Sequence, residues 1–296
     1  MIEPFPPVEA LTWAAQAAGE PVRVVRRLPG GTHAATHLLA ATESRRELVL
    51  RRYPPGDTAA ANEARVLTVL DGLGGQAPRL LGADPDGRRS RTGEPTVLIT
   101  RLPGRADITS VAPDTAAVHL GQVLARLHGT PPTLLSGLRD GMAAALASPT
   151  RADAAAPSAR MLPAHVHRLA EAEEVLTHYD FWSGNVLWDD GALTGVIDWS
   201  GASRAPRGFD VAWCRLDLVL LHGPHTAETF TNAYQDAAGR PIADLPLWDV
   251  FALTNSHHAV ETWLPNYHDV GRTDLTAEDL RERHTAWTDQ RLPLCP

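Results

Sequence analysis

Lysine is absent from this chain: all 27 basic side chains among its 296 residues are arginine. A Walker-type phosphate loop needs a Gly-Lys-Ser/Thr run and is therefore excluded. There is no Gly-x-Gly-x-x-Gly run to support a dinucleotide fold, and no His-Glu-x-x-His run for zinc. His257, His258 and Glu261 share a predicted helix, but the sequence points to no further zinc ligand and they read as surface or pocket-lining groups. Cysteine is scarce too, with Cys214 and Cys295 too few for a disulfide framework. Residues 1–7 lack the basic and apolar regions of a signal peptide, and no apolar run reaches membrane-spanning length, so a cytoplasmic protein with no membrane partner is expected. A net charge of −8 argues against a nucleic-acid partner.

What the chain does have lies between His178 and Asp198, which reads HYDFWSGNVLWDDGALTGVID. Val186 to Trp188 and Leu193 to Ile197 are strand-like and flank an Asp-Asp-Gly turn, so the stretch predicts a β-hairpin. Folding about that turn sets Asn185 nearly opposite Asp198, at a cross-strand distance of roughly 5 Å. An amide oxygen and a carboxylate facing one point suit Mg²⁺, which keeps several waters and is completed by substrate phosphates. Asp180, five residues before Asn185, is then free to orient a hydroxyl and accept its proton, with His178 organising the loop. The order His-x-Asp-x-x-x-x-Asn followed by a distant Asp is that of protein-kinase catalytic loops.

The run from Leu176 to Ala212 resembles the signature of the aminoglycoside phosphotransferase and choline-kinase-like superfamily. The pieces that carry the resemblance are His178-Tyr179-Asp180, Asn185, Ile197-Asp198-Trp199 and Asp210-Val211-Ala212, with the helix Leu120 to His128 upstream. Tyr179 stands where the family usually has glycine, and Ala205-Pro206-Arg207 where it commonly has Gly-Asp-Pro. The resemblance implies that Asp210 braces the catalytic loop.

The N-terminal third reads as a nucleotide-binding lobe. Strands at Val22 to Leu28 and Ala35 to Ala41 flank a turn at Pro29 to His33, where Gly30, Gly31 and Thr32 let the backbone approach phosphates. Glu47 to Tyr53 is a strand ending in basic residues; Arg51 is the candidate phosphate-gripping cation and Glu63, on a helix from Ala59 to Leu70, its partner. Alternation along the strand is expected to send Arg51 and Arg52 to opposite faces. The strand Thr96 to Arg101 runs into Leu102-Pro103-Gly104, so Thr100 and Leu102 mark a connector where backbone groups can meet an adenine ring.

Asp114 to His128 and Leu162 to Glu174 have helical periodicity, Ala143 to Ala159 reads as an alanine-rich insert, and Phe209 to Gln290 as four helices broken at Gly223-Pro224, Gly239-Arg240-Pro241 and Pro265-Asn266. The expected architecture is a bilobal, protein-kinase-like α/β (α+β) fold, with a small antiparallel-sheet lobe over residues 1–102 and a larger, mostly helical lobe over 103–296. The expected reaction is transfer of the γ-phosphoryl group of ATP or GTP to a hydroxyl of a small molecule. An antibiotic is the leading acceptor, as in resistance or self-protection. A metabolic kinase of the choline, homoserine or sugar type, or a non-catalytic nucleotide-binding protein of the same fold, are the alternatives.

Overall fold

A computed structural model describes residues 5–28, 33–147 and 156–295. It divides into two compact units, Met1–Gly104 with Thr194–Gly201, and Arg105–Leu193 with Ala202–Pro296.

The first unit is built on an antiparallel sheet of five strands, β1 (Val22–Arg27), β2 (Ala35–Ala41), β3 (Glu47–Arg52), β4 (Leu80–Asp84) and β5 (Thr96–Thr100), in the order β1-β2-β3-β5-β4. In the register of the central strands, Leu50 of β3 lies opposite His37 of β2 and Leu98 of β5. Helix α1 (Val8–Ala18) presents Trp13 and Ala14 to Leu39, Leu48, Leu50 and Leu98, which form the core of this unit. Helix α2 (Ala59–Leu70) buries Ala60, Glu63, Ala64, Val66, Leu67 and Leu70. That a glutamate belongs to this otherwise apolar face is the first sign of a site.

The second unit holds α3 (Pro113–His128), α4 (Gly141–Ala147), α5 (Leu162–Ala170) and β6 (Glu174–Thr177), followed by the hairpin β7 (Val186–Asp189) and β8 (Ala192–Val196), along which the chain crosses into the first unit. Strand β9 (Ser203–Pro206) pairs antiparallel with β6. Helices α6 (Gly208–His222), α7 (Pro224–Ala238), α8 (Leu245–Ser256), α9 (Leu264–Asp269) and α10 (Ala277–Arg291) complete it. Helix α3 lies close on α7 because position 121 is glycine: a Cβ there would sit 2.7 Å from the Phe230 carbonyl oxygen and from the Tyr234 nitrogen. The fold is thus the mixed α/β plan expected, with a small antiparallel sheet in the N-terminal unit and a mostly helical C-terminal unit. Among the described residues no helix is long and apolar enough to cross a membrane.

Several elements differ from the sequence expectation. The helix expected to reach Glu174 ends at Ala170, and Glu174 opens β6 instead. Strands β4, β6 and β9 span five, four and four residues, too short to show a period of two. The segment after Phe209 forms five helices rather than four. Pro265 does not break one of them; it lies in the first turn of α9, where its missing N–H costs nothing. Of the expected insert, residues 143–147 form the end of α4, and 148–155 lie outside the described residues.

Helix α6 is almost wholly buried and carries one arginine into that interior. Arg215 donates from Nε and Nη2 to the two oxygens of Asp249 on α8, at 2.9 and 3.1 Å, and from Nη2 to Glu228 on α7 at 2.9 Å. Burial alone would lower the arginine's pKa; the facing carboxylates outweigh it and hold the group charged. Arg215→Ala leaves Asp249 buried beside Arg291 alone and should cost about 3–5 kcal/mol, read from urea unfolding. A loss under about 1 kcal/mol would show that the pair does not hold α6, α7 and α8 together.

Candidate active site

The loop after β6 is pinned by a carboxylate from the first turn of α6. Asp210 Oδ2 accepts the backbone N–H of His178 at 2.6 Å, and its Oδ1 accepts that of Tyr179 at 2.9 Å. His128, at the end of α3, puts Nε2 3.3 Å from Asp210 Oδ2 and Nδ1 2.7 Å from the Tyr234 hydroxyl. Burial holds the His128 imidazole below its ordinary pKa, against the pull of Asp210. The His178 ring is fully buried and meets Phe181 edge-on, 6.0 Å between centroids.

Tyr179 has φ +72°, in the left-handed region that glycine enters freely and a tyrosine enters at a cost. Its ring is stacked on Phe209 at 4.6 Å with 13° between planes, and the Arg139 guanidinium carbon lies 4.5 Å from its centroid. These contacts offset the backbone cost, of order 1–2 kcal/mol. The chain therefore holds without glycine the backbone shape that glycine would give.

Beyond the pin, Asp180 is exposed, and the Asn185 amide nitrogen donates to both its carbonyl oxygen (2.8 Å) and its Oδ2 (2.9 Å). That leaves the Asn185 amide oxygen turned away from Asp180. Between them Ser183 donates from N (3.1 Å) and Oγ (2.6 Å) to Asp217 on α6, which also takes a hydrogen bond from Tyr267 on α9. Burial pushes the Asp217 pKa up to about 6 despite those donors. His128, Asp217 and Arg139 were not anticipated as site residues. Asp217 did leave a signal, as a lone carboxylate in the apolar run of α6.

In the first unit, Arg51 and Glu63 meet: Arg51 Nη1 lies 2.5 Å from Glu63 Oε1, and the Tyr53 hydroxyl donates to Glu63 Oε2 at 2.5 Å. Arg51 Nη2 also reaches Asp198 Oδ1 at 2.6 Å, where Ser200 Oγ donates as well, at 2.8 Å. Burial would lower the Arg51 pKa, but Glu63, Tyr53 and Asp198 raise it on balance, and burial pushes Glu63 upward. The neighbouring Arg52 goes elsewhere, to Glu94 at 2.7 Å. Asp198 has φ +64°, a second non-glycine residue held in the left-handed region.

The other expected positions are less informative. Gly30, Gly31 and Thr32 lie outside the described residues. Thr100 ends β5 with its hydroxyl accepting from the Arg79 nitrogen at 2.9 Å, and Leu102 is buried. Asn185 belongs to the second unit and Asp198 to the first. Among the described residues no three His, Cys, Asp or Glu side chains form a metal cluster.

A model of the phosphotransferase enzyme family matches residues 24–248, from β1 through most of the helical unit. The chain belongs to this family. A search of curated protein sequences gives no match. Among solved structures it is similar to the macrolide 2'-phosphotransferase MphH of Brachybacterium faecium, with 19% identity, TM-score 0.60, 95% of this chain and 98% of that one covered. It is also similar to a thermostable mutant of aminoglycoside phosphotransferase APH(4)-Ia in ternary complex with AMP-PNP and hygromycin B, with 17% identity, TM-score 0.64, 96% and 98% covered. Spectinomycin phosphotransferase APH(9)-Ia, in complex with ADP and spectinomycin, gives 14% identity, TM-score 0.58, 98% and 100% covered. These likenesses establish the kinase-like fold of the aminoglycoside phosphotransferases for this phosphotransferase.

Replacing Tyr179 tests its backbone. Tyr179→Ala keeps the positive φ and loses the ring contacts, whereas Tyr179→Gly loses the contacts but relieves the backbone. The glycine variant should unfold at higher urea than the alanine variant, by about 1 kcal/mol. The reverse order would mean that residue 179 carries no strain.

Proposed function

We propose that this phosphotransferase moves the γ-phosphoryl group of ATP or GTP to a hydroxyl of a small molecule, with an antibiotic as the leading acceptor class. The observation that supports it most is the exposed Asp180 carboxylate, oriented by Asn185 on a loop held by Asp210. A general base needs to face solvent where an acceptor can reach it, and to be held in position. Asp180 meets both needs. In this reading residues 1–102 take the nucleotide, residues 103–296 supply the catalytic loop and the acceptor site, and the enzyme acts in the cytoplasm. The neighbours with bound AMP-PNP or ADP and an antibiotic are in keeping with it.

Arg51, charged and braced by Glu63, is the group that grips the triphosphate, with the backbone at Gly30, Gly31 and Thr32 and the connector at Thr100 and Leu102 completing the nucleotide site. Asn185 and Asp198 would hold Mg²⁺. The donor set fits: both are oxygen ligands, the Asn185 nitrogen is committed to Asp180, and the Asp198 side chain is about one-third exposed at 31%. When bound, the ion supplies charge neutralisation on the triphosphate. Asp180 takes the acceptor's proton, and His178 and Asp210 keep its loop in place.

Asp180→Asn should bind Mg²⁺-nucleotide as the wild type does, by calorimetry, while kcat falls by about 10²–10⁴-fold. Transfer at the wild-type rate would remove Asp180 from the chemistry. Asp198→Ala should abolish the Mg²⁺ dependence of nucleotide binding; an unchanged Mg²⁺ titration would show that the metal is held elsewhere.

A further inference from the structure

The two residues that bracket Asp180 on the loop, Tyr179 and Trp182, each start an aromatic bridge to the same distant segment. On one side Tyr179 stacks on Phe209, Phe209 lies 6.3 Å from Trp213, and Trp213 lies 6.0 Å from Trp263. On the other, Trp182 meets Tyr267 edge-to-face at 5.9 Å and 76°. Trp263 ends a single 3-10 turn, Val260–Trp263, and Tyr267 sits on α9 directly after it. The exposed Asp180 therefore lies in sequence between the starts of two lines of rings that both reach residues 260–269.

The Trp182 ring is fixed before any ligand arrives. It lies so close to Gly184 that a Cβ at that position would fall 2.1 Å from the indole, and Tyr267, which packs edge-to-face against it, is itself tied to Asp217. Trp182, Trp213 and Trp263 are only half buried, whereas Phe209 and Tyr267 beneath them are buried. Three indoles, Trp182 held in place among them, thus keep part of their surface open on the frame that carries the proposed base.

Most of the charge on this frame is already committed. Both Glu261 oxygens, on the same turn as Trp263, lie 2.6 Å from the Arg281 guanidinium. Asp217 is held by Ser183 and Tyr267, and Asp210 by the loop backbone. A polycation binds where uncommitted carboxylates gather, and here Glu261, Asp217 and Asp210 already have internal partners, which leaves Asp269 as the one exposed acidic group of the 260–269 segment outside an ion pair.

We infer that the acceptor is a hydroxylated molecule with an uncharged aromatic or broadly apolar face, which lies against Trp182, Trp213 and Trp263 while its hydroxyl meets Asp180. This rests on the phosphotransfer reading for the role of Asp180, but the ring surface is tested without turnover. Calorimetry would compare three small probes: phenyl β-glucoside, methyl β-glucoside and glucosamine. Phenyl β-glucoside should bind about tenfold more tightly than methyl β-glucoside, and glucosamine no more tightly than the methyl compound. Trp213→Ala and Trp263→Ala should each narrow the phenyl-to-methyl ratio by about threefold or more, and Trp213→Phe and Trp263→Phe should restore most of it.

A wild-type ratio near one, tighter binding of glucosamine, or alanine variants that leave the ratio intact would each overturn the inference. Should the alanine variants fail to fold, the wild-type ratio and the phenylalanine variants still decide it. Wild-type protein that shows the ratio yet phosphorylates no acceptor would sink the phosphotransfer reading and leave the ring site standing. Protein that phosphorylates acceptors but prefers the methyl or amino sugar would do the opposite.

Discussion

Two backbone N–H groups converge on one buried carboxylate, and much of the second unit is arranged around that contact. Asp210 is fully buried, a position that costs several kcal/mol for a carboxylate without donors. The donors come from His178 and Tyr179, so the shape of the loop and the solvation of the carboxylate are one requirement. Asp210 also lies in the first turn of α6, where a negative charge is favoured by the helix dipole. His128 adds a third contact, and it brings α3 and, through Tyr234, α7 to the same point. Three helices and the loop are thus registered to each other by one side chain.

The loop was readable in advance because its chemistry fixes residue types at fixed spacings. His178, Asp180, Asn185 and Asp198 could be picked out as candidates because an acid, an amide and a turn in that order have few other uses together, and Asp210 through the family resemblance. The hairpin was readable from Asp190-Gly191 between two β-prone runs, and the pairing of Arg51 with Glu63 from a charged strand end followed by a helix. Strands β6 and β9 could not be read, since four residues give too few alternations to separate a strand from a helix end. Asp217 left a signal that could not be interpreted, for another reason. One carboxylate in an apolar helix looks the same whether it faces solvent or, as here, a serine of the loop after β6.

Tyr179 shows how a departure from a family pattern can leave the geometry alone. Glycine is permissive because it lacks a Cβ, but the permission can be replaced by contacts that outweigh the strain. Phe209 beside the ring and Arg139 over it are such contacts, and both come from outside the loop. The substitution therefore ties the loop more closely to its surroundings than glycine would. It also places an aromatic ring next to the exposed carboxylate, where glycine would leave none.

The distribution of acidic groups follows from the same economy of donors. Among the described residues, the fully or nearly buried carboxylates are Glu63, Asp84, Asp210, Asp217 and Asp249, and each accepts hydrogen bonds from the protein. Two of the five take an arginine, and arginine is the only long cation that this chain uses. That choice matters in a buried pair. A lysine beside Glu63 could lose its proton as burial deepens, whereas a guanidinium at Arg51 stays charged and presents a fork that reaches Glu63 and Asp198 at once. A cation that spans two carboxylates links α2 to the turn after β8 within one unit. In the proposed reading a phosphate arriving at Arg51 would compete with that bridge, which would couple nucleotide binding to the position of Asp198 through a single side chain.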